Sequence, residues 1–244
     1  MSDFFKIPHL PDDRVALALC GKTDNIIADY IKSYGITLIF AETNIKLDVP
    51  VSNPIDMNVH HLGGKNIILS SNQYELYKIL TGYGMNVILT DEEVRSPYPY
   101  DCILNCFKLK DYLFCNKNIS DEIIKALAGV KIANVNQGYC KCSTLIIDEN
   151  SFITDDATIY SKGTELGFDC LLIEKGDVAL EGYNYGFIGG ASAKIDKNTV
   201  MFFGDITKHR DFNIIDQYLK RKGIEYVYSD KFCLTDIGGI ITLK

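Results

Sequence analysis

The chain has 244 residues, 47% hydrophobic and 23% charged, with a net charge of −7 and eight cysteines. This is enough apolar content for a sizeable core, and the scattered basic residues argue against a nucleic-acid backbone as partner. No apolar run approaches the roughly 18–20 residues that span a bilayer, and the start MSDFFKIPHLPDD lacks a secretion pattern, so a cytoplasmic protein with reduced thiols is expected.

In chain order, residues 1–13 are expected to form an extension ahead of a single domain over 14–244. RVALALCGK from Arg14 is the first predicted strand. Ile26, Ile27, Tyr30 and Ile31 then recur at helical spacing, with Thr23 available as a cap. Gly35 closes that helix, and YGITLIFAE reads as the strand that follows. MNVHHLGGKNIILSS is a predicted hairpin turning at Gly63-Gly64. Leu76, Ile79 and Leu80 mark the second helix, and YGMNVILTD its strand behind Gly84.

The grammar then repeats. CILNCFKLKDYLFCN turns near Lys110-Asp111, and Ser120-Asp121-Glu122 opens a helix carrying Ile123, Ile124 and Leu127, followed by AGVKIANVN. CSTLIIDENSFITDD turns near Glu149-Asn150; the helix around ATIYSKGTELG is interrupted by Gly163; LGFDCLLIE follows. GFIGGASAKIDKNTVMFFGD turns at Asp196 to Asn198, Ile214, Ile215, Tyr218 and Leu219 mark the fifth helix, and KGIEYVYSD its strand. The helix-ending glycines 35, 84, 129, 167 and 223 recur about every 47 residues. The chain therefore reads as five strand–helix–strand–strand units.

The fifth hairpin is split between the termini: Ile240 to Leu243 should ladder with Val15 to Leu19, which removes both sheet edges. The expected fold is α/β, a five-fold pseudosymmetric propeller closed by its terminal strands; an open α/β sheet is the alternative.

In a hairpin, the start of the first strand lies beside the end of the second. This gathers Asp56, Asp101, Cys142, Asp155, Asp156, Asp205 and Asp236 at one end of the ring. Such a set of carboxylates suits a small planar cation, guanidinium or amidinium. The same acids precede helices and are also natural caps. Cys140-Lys141-Cys142 has no second close Cys or His pair, so no metal site is expected. The segment GYNYGFIGG over 182–190 has neither P-loop nor Rossmann spacing, so no cofactor is expected; Tyr139, Tyr183 and Tyr185 are candidate walls of a small pocket. His60 and His61 are adjacent on a strand and face opposite ways. No feature singles out an oligomer face.

Five such units, with GFIGGASAKIDKNTVMFFGDITKHRDF and the closing CLTDIGGIITL, resemble the pentein or guanidino-group-modifying fold, in particular a bacterial subgroup with recurrent FIGGAS and DIGG-type segments. The resemblance spans roughly 14–244. It implies the fold of arginine and agmatine deiminases, dimethylarginine hydrolases and amidinotransferases, shared by a ribosome anti-association factor without their chemistry. The enzymes carry a Cys nucleophile on the final hairpin strand and a His in the fourth unit. Here the final strand reads Thr235-Asp236-Ile237-Gly238-Gly239-Ile240 and GFIGGAS has no His. Substitutes are Cys142 or Cys233 as nucleophile and His209 as proton shuttle. Two functions stay open: a binding protein for a small cationic ligand, or a divergent guanidine-modifying hydrolase or amidinotransferase.

Overall fold

The computed structural model describes residues 3–244. In chain order it contains β1 (Leu17–Cys20), α1 (Asn25–Ser33), β2 (Thr37–Phe40), β3 (Val59–Gly63), β4 (Asn66–Leu69), α2 (Tyr74–Gly82) and β5 (Asn86–Leu89). There follow β6 (Phe107–Leu109), β7 (Tyr112–Cys115), α3 (Asp121–Ala126), β8 (Lys131–Asn134), β9 (Thr144–Asp148), β10 (Ser151–Thr154), α4 (Ala157–Glu165) and β11 (Asp169–Leu172). The last elements are β12 (Ser192–Lys194), β13 (Thr199–Phe202), α5 (Phe212–Arg221), β14 (Glu225–Val227) and β15 (Ile240–Thr242).

The strands form five three-stranded sheets of one design. In each, a hairpin supplies an antiparallel pair, and the strand beyond the helix adds in parallel to the second hairpin strand. The fifth sheet joins the chain ends: β15 pairs antiparallel with β1, Leu19 opposite Ile241 and Cys20 opposite Ile240. Every helix runs into a glycine at positive φ, between +66° and +94° at Gly35, Gly84, Gly129, Gly167 and Gly223. The left-handed residue turns the chain sharply back onto the sheet, and a Cβ there would be strained.

Alternation along the central strand of each sheet builds the core. Leu17 and Leu19 of β1 point to a cluster shared with Ile67 and Leu69 of β4, while Ala18 and Cys20 point to one shared with Met201 and Phe203. Ile68 meets Leu113 and Cys115, Phe114 meets Phe152, and Ile153 meets Val200 and Phe202. Successive residues thus feed opposite neighbours, as the two-residue period of a strand requires. Five apolar clusters link the five sheets in a closed cycle, with no sheet left as an end.

Several local expectations are corrected. Thr23 is not the cap of α1; Asp24 holds that position without a side-chain bond. Ser120 sits at the cap of α3, yet its hydroxyl donates to the Glu122 carboxylate at 2.6 Å. α4 runs through Gly163 because a Cβ there would lie 2.4 Å from Phe152 Cζ, so packing outweighs the helix propensity of a larger residue.

Residues 3–13 lie across one end of the cycle. Phe4 and Phe5 are buried in two adjacent inter-sheet clusters, and Leu10 packs on a third. Phe5 N–H donates to Leu243 O and its carbonyl accepts from Gly64 N–H, both at 2.8 Å. His9, at φ +64°, faces a cavity about 10 Å³ in volume, bordered by Lys141, Ser192, Lys194 and Thr242. Among the described residues, no helix is long and apolar enough to cross a membrane.

Candidate functional site

Each first hairpin strand is entered through a short irregular segment, where backbone and polar side chains share the hydrogen bonding. Four of these segments bring side chains together: Asp56 ahead of β3, Asn105 ahead of β6, Lys141 and Cys142 ahead of β9, and Asp236 ahead of β15. Asn105 ties them. Its carbonyl oxygen accepts from the backbone N–H of Lys141 at 2.8 Å and of Cys142 at 3.1 Å. Its amide nitrogen donates to Cys142 Sγ at 3.0 Å. The Cys142 thiol in turn donates to Asp56 Oδ2 at 2.8 Å, and Asp56 Oδ1 is buried with no partner.

Asp236 is held by backbone: Phe187 N–H donates to its Oδ2 at 2.9 Å and Gly238 N–H to its Oδ1 at 2.8 Å. A Cβ on Gly190 would lie 1.9 Å from Asp236 Oδ1. The glycine pair 189–190 is therefore room for a carboxylate rather than a phosphate cradle. Asp155 accepts from Ile188 N–H at 3.0 Å, and its Oδ1 is buried without a partner.

Above these groups opens a cavity of about 250 Å³. Cys142, Asp236 and Met57 line it together with the aromatic rings of Tyr139, Tyr183, Tyr185 and Phe187. Asp101 stands behind the wall, accepting from Tyr139 OH at 2.7 Å.

Burial dominates the electrostatics. It raises Asp56 to about 6, against the pull of the Lys141 ammonium. It raises Asp236 to about 7, helped by the Asp56 charge, and Asp155 to about 7. Burial and then the Asp56 and Asp236 charges push the Cys142 thiol well up, so the thiol is protonated near neutrality. Lys141 is lowered by burial, while Asp56, Cys142 and Asp236 favour its charged form.

The other predicted residues lie elsewhere or have local roles. Asp156 caps α4, accepting from Thr158 and Ile159 N–H, and pairs with Lys175 at 3.5 Å. Asp205 accepts from Thr207 N–H at 3.0 Å, at the start of a short turn. Cys233 is exposed, with its sulfur 3.6 Å from Thr235 Oγ1, and does not line the cavity. The fifth helix starts at Phe212, not at His209, whose Nδ1 accepts from Asp211 N–H at 3.1 Å. Among the described residues, His209 bonds to no cysteine.

A Cys–His contact does occur, with Cys106 Sγ 3.5 Å from His60 Nδ1. It is buried; desolvation drives the thiol up and the imidazole down to about 4. Neither residue borders the cavity, and both are held in their uncharged forms by packing. His61 faces away and meets Gly64 O at 3.0 Å through Nε2.

Sequence reasoning missed Asn105 and Lys141. Both sit just ahead of a first hairpin strand, the position Cys142 also holds, so superposing the five units residue by residue was the signal available.

The five repeated three-stranded sheets make a pentein-like fold. An inosamine-phosphate amidinotransferase from Streptomyces griseus superposes with a TM-score of 0.63 at 9% identity, over 100% of this chain and 97% of that one. An amidinotransferase of saxitoxin biosynthesis from Microseira wollei gives 0.58 at 8% identity, over 92% and 91% of the two chains. A DDAH from Pseudomonas aeruginosa, complexed with citrulline, gives 0.57 at 10% identity, over 89% and 92%. Likeness at such identities shows the fold and not the activity. No curated protein matches in sequence. The chain belongs to the family described as "Family of unknown function (DUF6873)", whose model matches residues 19–241.

Proposed function

We propose that the five sheets act as propeller blades around an axis, and that the axial pocket binds a small cationic ligand of the guanidine or amidine type. The observation that carries this is an aromatic-walled cavity lined by Asp236 and by Cys142, whose thiol donates to Asp56, while Asp56 Oδ1 and Asp155 Oδ1 are buried and unpartnered. A buried carboxylate oxygen without a donor is costly, and a planar cation offers paired N–H donors. Aromatic faces add attraction for the same charge. With eight free cysteines, we place the protein in a reducing compartment, the cytoplasm. Calorimetric titration with guanidinium, acetamidinium and neutral urea tests the reading. Saturable binding of the two cations and not of urea supports it; equal or absent binding of all three sinks it.

A second reading, a hydrolase or amidinotransferase, is favoured by the 2.8 Å bond from Cys142 to Asp56 beside the cavity. Asp56 would take the thiol proton as sulfur attacks the amidine carbon, and return it to the departing nitrogen. Cys233, outside the cavity, has no such neighbour. Alkylation by a haloacetamidine distinguishes the readings: one fast cysteine, absent in Cys142→Ala, supports an enzyme, and uniformly slow thiols support binding alone.

A further inference from the structure

The side chain of Asn105 holds Cys142 from two sides. It is 1% exposed, in the irregular segment ahead of β6. Its Oδ1 accepts from the backbone N–H of Lys141 at 2.8 Å and of Cys142 at 3.1 Å, and its backbone carbonyl accepts from Cys140 N–H at 3.2 Å. The turn that carries the cysteine is thereby tied to one residue. Its Nδ2 donates to Cys142 Sγ at 3.0 Å and to the Asp56 carbonyl at 3.3 Å. These partners fix the orientation of the amide: turned over, its nitrogen would face two N–H donors and its oxygen a carbonyl.

The sulfur is held in a defined state. Its S–H donates to Asp56 Oδ2 at 2.8 Å and one lone pair accepts from Asn105, which leaves a second lone pair on a residue that lines the 250 Å³ cavity. A donor held against sulfur favours its ionised form. Burial and then the Asp56 and Asp236 charges oppose that form at Cys142, and the Asn105 bond works against them.

We propose that Asn105 is a positioning residue for Cys142: its oxygen sets the turn, and its nitrogen steadies the sulfur as the S–H proton leaves for Asp56. The inference rests on the second reading above, in which Cys142 is the nucleophile. In that step the S–C bond forms while the proton passes to Asp56 Oδ2, and the C–N bond then breaks with the proton returned to the departing nitrogen. Negative charge grows on sulfur before the S–C bond is complete, and a fixed N–H donor is already in place to meet it.

The test is the rate of alkylation by 2-chloroacetamidine from about pH 5.5 to 9.5, with Cys142→Ala as the blank. Here the S–C bond forms and chloride departs with the C–Cl electron pair, so the rate follows the readiness of the sulfur to lose its proton. The titratable groups around the sulfur, Asp56, Asp236 and Lys141, are kept in every Asn105 variant. Asn105→Asp keeps an oxygen for the two backbone donors but not the N–H, and Asn105→Leu removes both without adding charge. Both should raise the midpoint of the profile by about one pH unit and slow the reaction about tenfold near neutrality, as loss of one hydrogen bond to a charged group predicts. Lower stability with unmoved midpoints would make Asn105 merely structural and overturn the inference, leaving the nucleophile reading intact. A midpoint raised in Asn105→Asp alone does the same, since the added charge then explains it. Should neither variant fold, the unaltered protein decides: the side-chain amide protons of Asn105, followed by NMR, should shift with the midpoint of the alkylation profile, and a flat response sinks the proposal. If no cysteine of the unaltered protein reacts fast, the nucleophile reading fails and takes this inference with it.

Discussion

Two cavities of the molecule differ in size, in charge and in what lines them. At the larger, Asp236 lines a space of about 250 Å³ walled by aromatic rings, and Asp56 and Asp155 each keep one buried carboxylate oxygen unpartnered. At the other, Lys141, Lys194 and His9 meet around a space of about 10 Å³, which admits at most one water-sized occupant. Lys194 is satisfied by the carbonyls of Ile147 and Lys197, and His9 is kept neutral by burial and the Lys141 charge. The small space is closed by its own chain, and the large one stays open. The contrast teaches that the same repeated unit surrounds one small space whose polar groups find partners and one large space beside which buried carboxylate oxygens do not.

The sharpest break of this comparison falls on the side of the small space. Phe5 is 5% exposed in the cluster between the fourth and fifth sheets, and its backbone bridges Leu243 and Gly64. Phe5→Ala should destabilise by about 3–5 kcal/mol, as truncation of a buried Phe does, measured by urea unfolding. Guanidinium affinity of the folded fraction should not move. A large loss of affinity would mean that the two cavities are coupled.

The converse change strikes the large cavity. Asp236→Asn keeps the shape and one backbone acceptor but removes a charge that the site concentrates. Affinity for guanidinium should fall by about 2 kcal/mol or more, roughly thirtyfold, as when one partner of a buried charged hydrogen bond is lost. Stability should hold or rise at pH 8, where the native carboxylate must be buried ionised. An unaltered affinity would remove Asp236 from the ligand's contacts.

Most of the fold was legible because its signals are local and repeated. Five positive-φ glycines, alternating apolar strands and four uninterrupted hairpin turns each announce themselves within ten residues, and the split fifth hairpin follows by elimination. The site was legible only in part. Asp56, Asp236 and Cys142 were named from their position in the hairpin, and the structure joins Cys142 to Asp56 at 2.8 Å. Asp156 and Asp205 were drawn in by the same rule, yet their carboxylates turn to the nearest backbone N–H as caps. Asn105 and Lys141 were missed because only a residue-by-residue superposition of the five units marks their position ahead of the first hairpin strand. Their roles come from contacts across 37 residues, as between Asn105 and Cys142, or 48, as between Lys141 and Gly189.

Proton linkage offers a gentler probe of the same contrast. Asp56, Asp155 and Asp236 titrate above the ordinary carboxylate range, the latter two at about 7. These three groups therefore bind more protons in the folded chain than in the unfolded chain from about pH 4 to 7. The stability tied to these three groups is largest below that window and is lost as pH rises through it. Cation affinity runs the other way, since it needs the ionised forms, and should rise about tenfold between pH 5.5 and 7.5. A flat affinity profile would show that the ligand does not draw on these carboxylates.

The smallest expected effect concerns the aromatic wall. Tyr183 is half exposed and stands on a loop fixed by Gly182, whose φ is +85° and where a Cβ would lie 2.5 Å from Pro50 Cγ. The ring stands at the cavity without being buried, so its attraction for a cation is only partly desolvated. Such an exposed cation–π contact contributes about 0.5–1 kcal/mol, and Tyr183→Leu should weaken guanidinium binding two- to fivefold by titration. Tyr183→Phe keeps the ring face and should bind as the unaltered protein does. If Tyr183→Phe loses as much as Tyr183→Leu, the hydroxyl rather than the face matters, and the wall selects by hydrogen bonding instead of by charge.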